Sequence, residues 1–123
     1  MEKMLYDEAL KARENAYAPF SGFQVGAALL TEDGQVYTGV NIENSSYGAT
    51  ICAERTAFVK AISEGHRKFK ALAVTAGDEQ EALPCGICRQ FMYEFSPELE
   101  IITGTDEENL NIRTLEELLP LGF

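Results

Sequence analysis

All three cysteines of this chain lie in two short stretches, Cys52-Ala53-Glu54-Arg55 and Pro84-Cys85-Gly86-Ile87-Cys88-Arg89. A structural zinc site usually closes its tetrahedron with four Cys or His ligands, whereas a catalytic site keeps three and leaves the fourth position for water. Three cysteines fit the second pattern, so the fold has to bring Cys52 to the turn that holds Cys85 and Cys88. Glu54, two residues beyond Cys52, is placed to serve the open position without binding the metal, as a carboxylate beside activated water does in hydrolysis. The spacing predicts a zinc hydrolase with Cys52, Cys85 and Cys88 as ligands.

Two plainer readings compete with this one. A cysteine is often a small buried hydrophobe, and Cys85-x-x-Cys88 has the spacing of a redox pair. Neither accounts for a third cysteine beside a glutamate. Glu54 taken alone reads as a first-turn carboxylate, which helix N-termini favour. His66, the only histidine, follows Gly65 and reads as a surface residue, and the tyrosines and phenylalanines read as core.

With 123 residues the chain is expected to form one domain spanning 1–123, long enough for a core and too short for a separate substrate domain. A deep pocket in so small a protein calls for help from another subunit. Ten basic against twenty acidic residues give a net charge of -10. That charge repels the phosphate backbone on which most nucleic-acid affinity rests. The N-terminus, Met1-Glu2-Lys3-Met4-Leu5-Tyr6-Asp7, is charged where a secretory signal needs an apolar run, and no segment approaches a transmembrane length. A cytoplasmic protein with no nucleic-acid or membrane partner is expected. In that reducing compartment an odd number of cysteines reads as thiolate ligands or free thiols.

The apolar recurrence of Leu5, Ala9, Ala12 and Ala16 predicts a helix from about Glu2 to Ala16. Pro19, Ser21 and Gly22 break it. Phe23 to Leu30 then reads as a buried strand, and the Asp33-Gly34 turn pairs it antiparallel with a strand from Gln35 to Asn41. The following Asn41–Gly48 segment is polar, and on spacing alone it reads as ordinary solvated turn chemistry. Helices are predicted from about Cys52 to Glu64, closed by Gly65, and from Gly86 to Phe95, preceded by Pro84. Strands are predicted over Lys70–Ala76, Leu99–Thr103 and Ile112–Arg113, with Asp106–Asn111 as a loop and a last helical turn over Thr114–Leu119 stopped by Pro120. This alternation gives an α/β layered domain whose first hairpin is antiparallel and whose later crossovers are parallel.

Cysteines at helix N-termini have their thiol pKa lowered toward the thiolate that metals require. Three thiolates around Zn²⁺ still sum to -1, which weakens the metal as a Lewis acid unless neighbours compensate. Arg55 and Arg89, each following a ligand in sequence, are the candidates to donate hydrogen bonds to those sulfurs.

The two cysteine stretches, together with Ala18-Pro19-Phe20-Ser21, Phe23-Gln24-Val25-Gly26-Ala27-Ala28, Asn41-Ile42-Glu43-Asn44 and Leu118-Leu119-Pro120, resemble the small homotetrameric cytidine deaminases of the three-cysteine type. The zinc deaminases are a standard worked case of metal-assisted hydrolysis at a nucleobase. The resemblance spans essentially the whole chain. It implies a three-layer α/β/α sandwich on a five-stranded mixed sheet, one zinc per subunit on Cys52, Cys85 and Cys88, and hydrolysis of the amine at C4 of cytidine or 2′-deoxycytidine. Glu54 is then the proton shuttle, protonating N3 and afterwards the departing amine. Phe23 matches the position against the base, and Asn41 and Glu43 match those at the ribose hydroxyls, which displaces the turn-chemistry reading of that loop. The backbone around Ala53 and Cys85 is implied to recognise the pyrimidine edge. Phe123 matches a C-terminal phenylalanine that reaches into a neighbouring subunit's pocket. A carboxylate at Glu43 suits neutral sugar hydroxyls and would repel a 5′-phosphate, so a free nucleoside substrate is expected. The alternatives are a deaminase of another aminated nucleoside or nucleoside antibiotic, and a zinc module without turnover.

Overall fold

The computed structural model describes residues 1–77 and 80–123. Its main elements are α1 (Glu2–Ala12), β1 (Gly26–Thr31), β2 (Val36–Val40), α2 (Ala53–Ser63), β3 (Phe69–Thr75), α3 (Gly86–Tyr93), β4 (Glu100–Gly104), β5 (Leu110–Thr114) and α4 (Leu115–Leu118). The strands form one five-stranded sheet in the order β2-β1-β3-β4-β5. Among these five strands β3 and β4 pair in parallel, and the β1/β2, β1/β3 and β4/β5 pairs are antiparallel. Both helical crossovers therefore join strands of the same direction, β2 to β3 around the intervening β1 and β3 to its neighbour β4.

Alternating side chains explain why β1 is buried along its whole length. Ala27 and Leu29 pack with Phe58, Leu72, Met92 and Ile101 beneath α2 and α3, while Ala28 and Leu30 pack with Leu5, Tyr6, Ala9 and Ala71 beneath α1. A strand with apolar layers on both faces reads as a continuous apolar run, and the result is a three-layer α/β/α sandwich. Small residues set the spacing between layers. A Cβ on Gly26 would lie 2.0 Å from the Ala9 carbonyl oxygen, and one on Gly39 would lie 2.4 Å from both the Ala53 oxygen and the Ala57 nitrogen. Gly39 thus lets the first turn of α2, which carries the Cys52 stretch, sit directly on β2.

Several boundaries differ from the sequence expectation for identifiable reasons. The first helix ends at Ala12 and tightens into a 3₁₀ turn over Arg13–Asn15, where the Arg13 Nε turns to donate to the Gln24 carbonyl at 3.1 Å. The first strand starts at Gly26 rather than Phe23, because the Asn41 side chain takes the Val25 N–H (2.9 Å) and the Phe23 carbonyl (2.8 Å) that a ladder would use. The final strand begins at Leu110, inside the segment expected to be loop, since Leu110 pairs with Gly104. His66 is not a plain surface residue. Its side chain is only 18% exposed, faces Asp33 at 3.8 Å and has its ring 5.3 Å from that of Tyr37. Among the described residues no helix is long and apolar enough to cross a membrane.

Candidate active site

The site is assembled where two helices begin. Cys52 is the N-cap of α2, in extended conformation, and the chain entering it is held by paired hydrogen bonds between Ile42 and Ile51, both 3.0 Å. Cys85 is the N-cap of α3, and its Sγ accepts the Cys88 N–H at 3.4 Å. Cys88 lies one turn in and is fully buried. The three sulfurs gather within 4.8 Å of one another, with Cys52 and Cys85 at 3.7 Å and Cys85 and Cys88 at 3.3 Å. Tetrahedral zinc with Zn–S bonds of about 2.3 Å requires S···S separations of roughly 3.8 Å. The donor set therefore fits zinc in chemistry and nearly in dimension, and all three thiols are free of disulfides.

The electrostatics agree with a thiolate site. Arg55 Nη2 donates to Cys52 Sγ at 3.6 Å, and Arg55 Nε is buried without a hydrogen-bond partner, a cation held against sulfur instead of water. The neighbouring Cys88 thiol, aided by Arg55, brings the Cys52 pKa down to about 5, while the Cys88 thiol is pushed strongly up by the proximity of Cys52 and by burial. The cluster thus favours a first thiolate shared among its sulfurs, and metal binding would displace the remaining protons. Arg89 acts elsewhere. It does not donate to a sulfur as expected but ties Nε to the Pro84 carbonyl and Nη1 to the Leu118 carbonyl, both at 2.8 Å. Helical side chains lean toward the N-terminus, so its guanidinium reaches back past Cys85 to the preceding peptide.

Beside the sulfurs lies a cavity of about 410 Å³ that Cys52, Cys85, Glu54, Phe23, Asn41 and Glu43 all line. It sits at the C-terminal end of β3, in the position where open α/β sheets place ligands. A depression of about 400 Å³ lined by Lys68, Lys70, Phe95 and Glu98 lies at the opposite end of β3 and contains no cysteine. Glu54 is 4% exposed. Burial, then the nearby Cys52 charge, raises its pKa to about 7, where a carboxyl can both give and take a proton near neutrality.

That arrangement, a cluster of three thiols of which two share a cavity with a buried carboxyl, coincides with a family match. Residues 1–105 match the model of the cytidine and deoxycytidylate deaminase zinc-binding region. The chain belongs to this deaminase family. A cytidine deaminase of Halalkalibacterium halodurans is 52% identical over 98% of this chain and 92% of its own length. One of Sporosarcina psychrophila is 51% identical over 100% and 90%. The crystal structure of cytidine deaminase from Burkholderia pseudomallei superposes with a TM-score of 0.94 at 44% identity, covering 100% of this chain and 99% of the other.

Within this deaminase fold the remaining candidates are placed unevenly. Asn41 spends one lone pair and one N–H on the Val25 and Phe23 backbone, leaving one of each. Glu43 accepts the Phe20 and Ser21 N–H groups at 2.9 and 3.1 Å and the Ser21 hydroxyl. The Ser21 hydroxyl chiefly holds its carboxyl below the usual range. Ala53 is fully buried in the first turn of α2 and lines the cavity. Phe123 does not approach this cavity; it is 91% exposed, with its carbonyl accepting from Gln90 Nε2 at 3.3 Å. Ser21, Glu81 and Leu83 also line the cavity, although none of them is a candidate site residue by sequence. Ser21 looked like turn punctuation before Gly22, and nothing local marks Glu81, whose partners lie on β4 and β5.

Proposed function

We propose that the chain catalyses hydrolytic deamination of free cytidine and 2′-deoxycytidine to uridine and 2′-deoxyuridine with release of ammonia. The observation that carries this reading is the buried Glu54 carboxyl sharing one cavity with Cys52 and Cys85, two members of a cluster of three thiols completed by the buried Cys88. Cys52, Cys85 and Cys88 would hold zinc, which supplies Lewis-acid activation of the hydrolytic water. Glu54 receives a proton from that water as the water oxygen bonds to C4, and delivers it to N3 of the base. It then carries the hydroxyl proton of the C4 adduct to the amine, so that the C4–N bond breaks, ammonia leaves and the C4 oxygen becomes the product carbonyl. Its low exposure keeps bulk water from short-circuiting the transfer.

The nucleoside's orientation falls to the opposite wall. Phe23, 40% exposed, offers a ring face to the base. Asn41 and Glu43 keep unused hydrogen-bonding capacity for ribose hydroxyls, and their backbone bonds hold them in place before substrate arrives, which lowers the cost of binding. Among the described lining residues there is no Lys or Arg, whereas Glu43, Glu54 and Glu81 are all present. The charged groups a 5′-phosphate would meet on this lining are all acidic, so a free nucleoside is favoured over a nucleotide. Arg55 offsets thiolate charge, and Arg89 steadies the peptide before Cys85.

A homotetramer with sites shared between subunits, a single domain over 1–123 and a cytoplasmic role in pyrimidine salvage complete the proposal. The exposed Phe123 and Leu121 at the C-terminus suit a contact with a neighbouring copy, and unpaired thiols suit a reducing compartment. A spectrophotometric assay on cytidine and CMP, with Glu54→Gln at equal zinc content as the control, tests this. Turnover of cytidine that is lost in the variant and much weaker on CMP is expected. Equal inertness of both proteins would refute the enzyme, and equal turnover of CMP would refute the nucleoside assignment.

A further inference from the structure

Between β3 and α3 the chain runs through Gln80–Leu83, which forms one wall of the cavity before reaching Pro84 and Cys85. This stretch belongs to no helix or strand. Its apolar hold is slight, with Ala82 packed in a small cluster beside Val74, Ala76 and Val25. The polar hold comes from Glu81. Its Oε2 accepts from the Thr103 hydroxyl and from Asn111 Nδ2 at 2.7 Å, and faces Arg113 Nη1 at 3.5 Å. Arg113 Nη1 also donates to Thr103 Oγ1 at 3.1 Å, which closes the network. Thr103 is fully buried and pairs with Asn111 across the β4/β5 ladder. None of these three partners lines the cavity.

A solitary surface ion pair contributes little. Here one oxygen collects a buried hydroxyl, an amide and a guanidinium, and charge-assisted contacts of this kind are the stronger ones. The Thr103 and Asn111 hydrogen bonds hold the Glu81 carboxyl below its ordinary range. The acceptor therefore stays charged at neutral pH. The network spans from the cavity wall to the far edge of the sheet, and displacements of about 1 Å in a positioning element can cost up to ~100-fold in rate or binding.

We infer that Glu81 is a positioning residue for the deaminase. Its carboxylate pins the Gln80–Leu83 wall to β4 and β5 and so sets the width of the nucleoside cavity. The inference rests on the deaminase reading of that cavity. Asn111 belongs to the same device although it touches no substrate, because it holds Glu81 from outside.

The test uses the full-length, zinc-loaded chain with Glu81→Ala, Asn111→Ala, the double variant and Glu81→Gln. Steady-state kinetics on cytidine are paired with calorimetric binding of uridine. KM and the uridine Kd should rise about five- to tenfold in each alanine variant, with kcat within about twofold and zinc content unchanged. The double variant should be no worse than the larger single, because both remove one link. Glu81→Gln should recover most of the loss, since its amide oxygen still accepts from Thr103 and Asn111. An effect of Glu81→Ala without one of Asn111→Ala would overturn the inference by making Glu81 a direct substrate contact. A lowered Tm with unchanged KM and Kd would overturn it by making the network merely structural. An unaltered chain that neither turns over cytidine nor binds uridine would sink the deaminase reading itself and this inference with it. That outcome is distinct from an active chain whose variants do not respond.

Discussion

Replacing Glu54 by glutamine should damage catalysis and improve stability at the same time. The carboxyl is 4% exposed, and its pKa rises from 4.5 to about 7, chiefly because burial disfavours the charged form. A folded pKa above the unfolded one stabilises the fold fully below pH 4.5, and that contribution is lost as pH climbs through 4.5 to 7. At pH 8 the ionised carboxylate therefore costs the folded state a few kcal/mol, at about 1.36 kcal/mol per pH unit. Part of the rise comes from the Cys52 charge, which bound zinc offsets, so about 2 kcal/mol is the expected cost in the loaded protein. Glutamine keeps the shape and carries no charge. Its variant should melt about 8 °C higher at pH 8, and the gap should narrow toward pH 6. In the same protein, loss of the proposed proton shuttle should lower kcat by about 10²- to 10⁴-fold, or roughly 3 to 5.5 kcal/mol of barrier. Thermal melts at several pH values, cytidine kinetics and zinc analysis on matched samples measure all of this. A Glu54→Gln protein that is inactive and also less stable at pH 8 would refute the reasoning, since the residue would then be a structural anchor.

Arg55→Ala should lower kcat about tenfold while zinc content changes little, because the guanidinium touches Cys52 Sγ without being a ligand; a wild-type rate would remove Arg55 from the mechanism. Deleting Phe123, which is 91% exposed, should raise KM for cytidine without altering the melt of the isolated subunit, as seen by kinetics beside calorimetry; an unchanged KM would exclude a shared site. Glu100 has a buried Oε1 with no partner, and burial followed by the adjacent Glu2 carboxylate raises its pKa. A raised carboxyl pKa means stability present below pH 4.5 and lost above it, so Glu100→Gln should raise Tm at pH 7. That gain should vanish near pH 4, and a gain independent of pH would point to packing instead.

What the sequence made legible was whatever depends on neighbours in the chain. The β1/β2 hairpin follows from Asp33-Gly34, with Gly34 at φ 92°, and α2 ends where Gly65 adopts φ 100°. The clustering of Cys52 with Cys85 and Cys88 follows once both helices start at the same end of the sheet. Illegible features depend on partners distant in sequence. The late start of β1 is set by Asn41, 16 residues from Val25. Arg55 and Arg89 looked equivalent because each follows a cysteine, yet the same backward lean sends one guanidinium to Cys52 Sγ and the other to Pro84 and Leu118. Adjacency in sequence fixed neither direction nor partner.

The loop after β2 shows why the residue-by-residue reading and the resemblance disagreed before the structure joined them. Read alone, Asn41 and Glu43 are turn residues, and the structure gives them that work: Asn41 bonds the backbone of Phe23 and Val25, and Glu43 bonds that of Phe20 and Ser21. Both segments they hold belong to the cavity wall, so the same contacts fix where the side chains' remaining donor and acceptors point. A carboxylate offers about four acceptor sites and an amide two donors and two acceptors. Three acceptors of Glu43 and one pair on Asn41 are occupied, which leaves each with a small, aimed remainder. Substrate binding then orders little that is not already ordered. Asn41→Ala should accordingly lose more than one ribose hydrogen bond, because it also frees the Phe23 backbone. KM should rise by more than about tenfold, with a measurable loss of Tm. Asn41→Asp keeps the acceptor to Val25 N–H but loses the donor to the Phe23 carbonyl, and it should fall between the two. A variant series in which Tm and KM moved independently would mean that turn and ligand roles are separable.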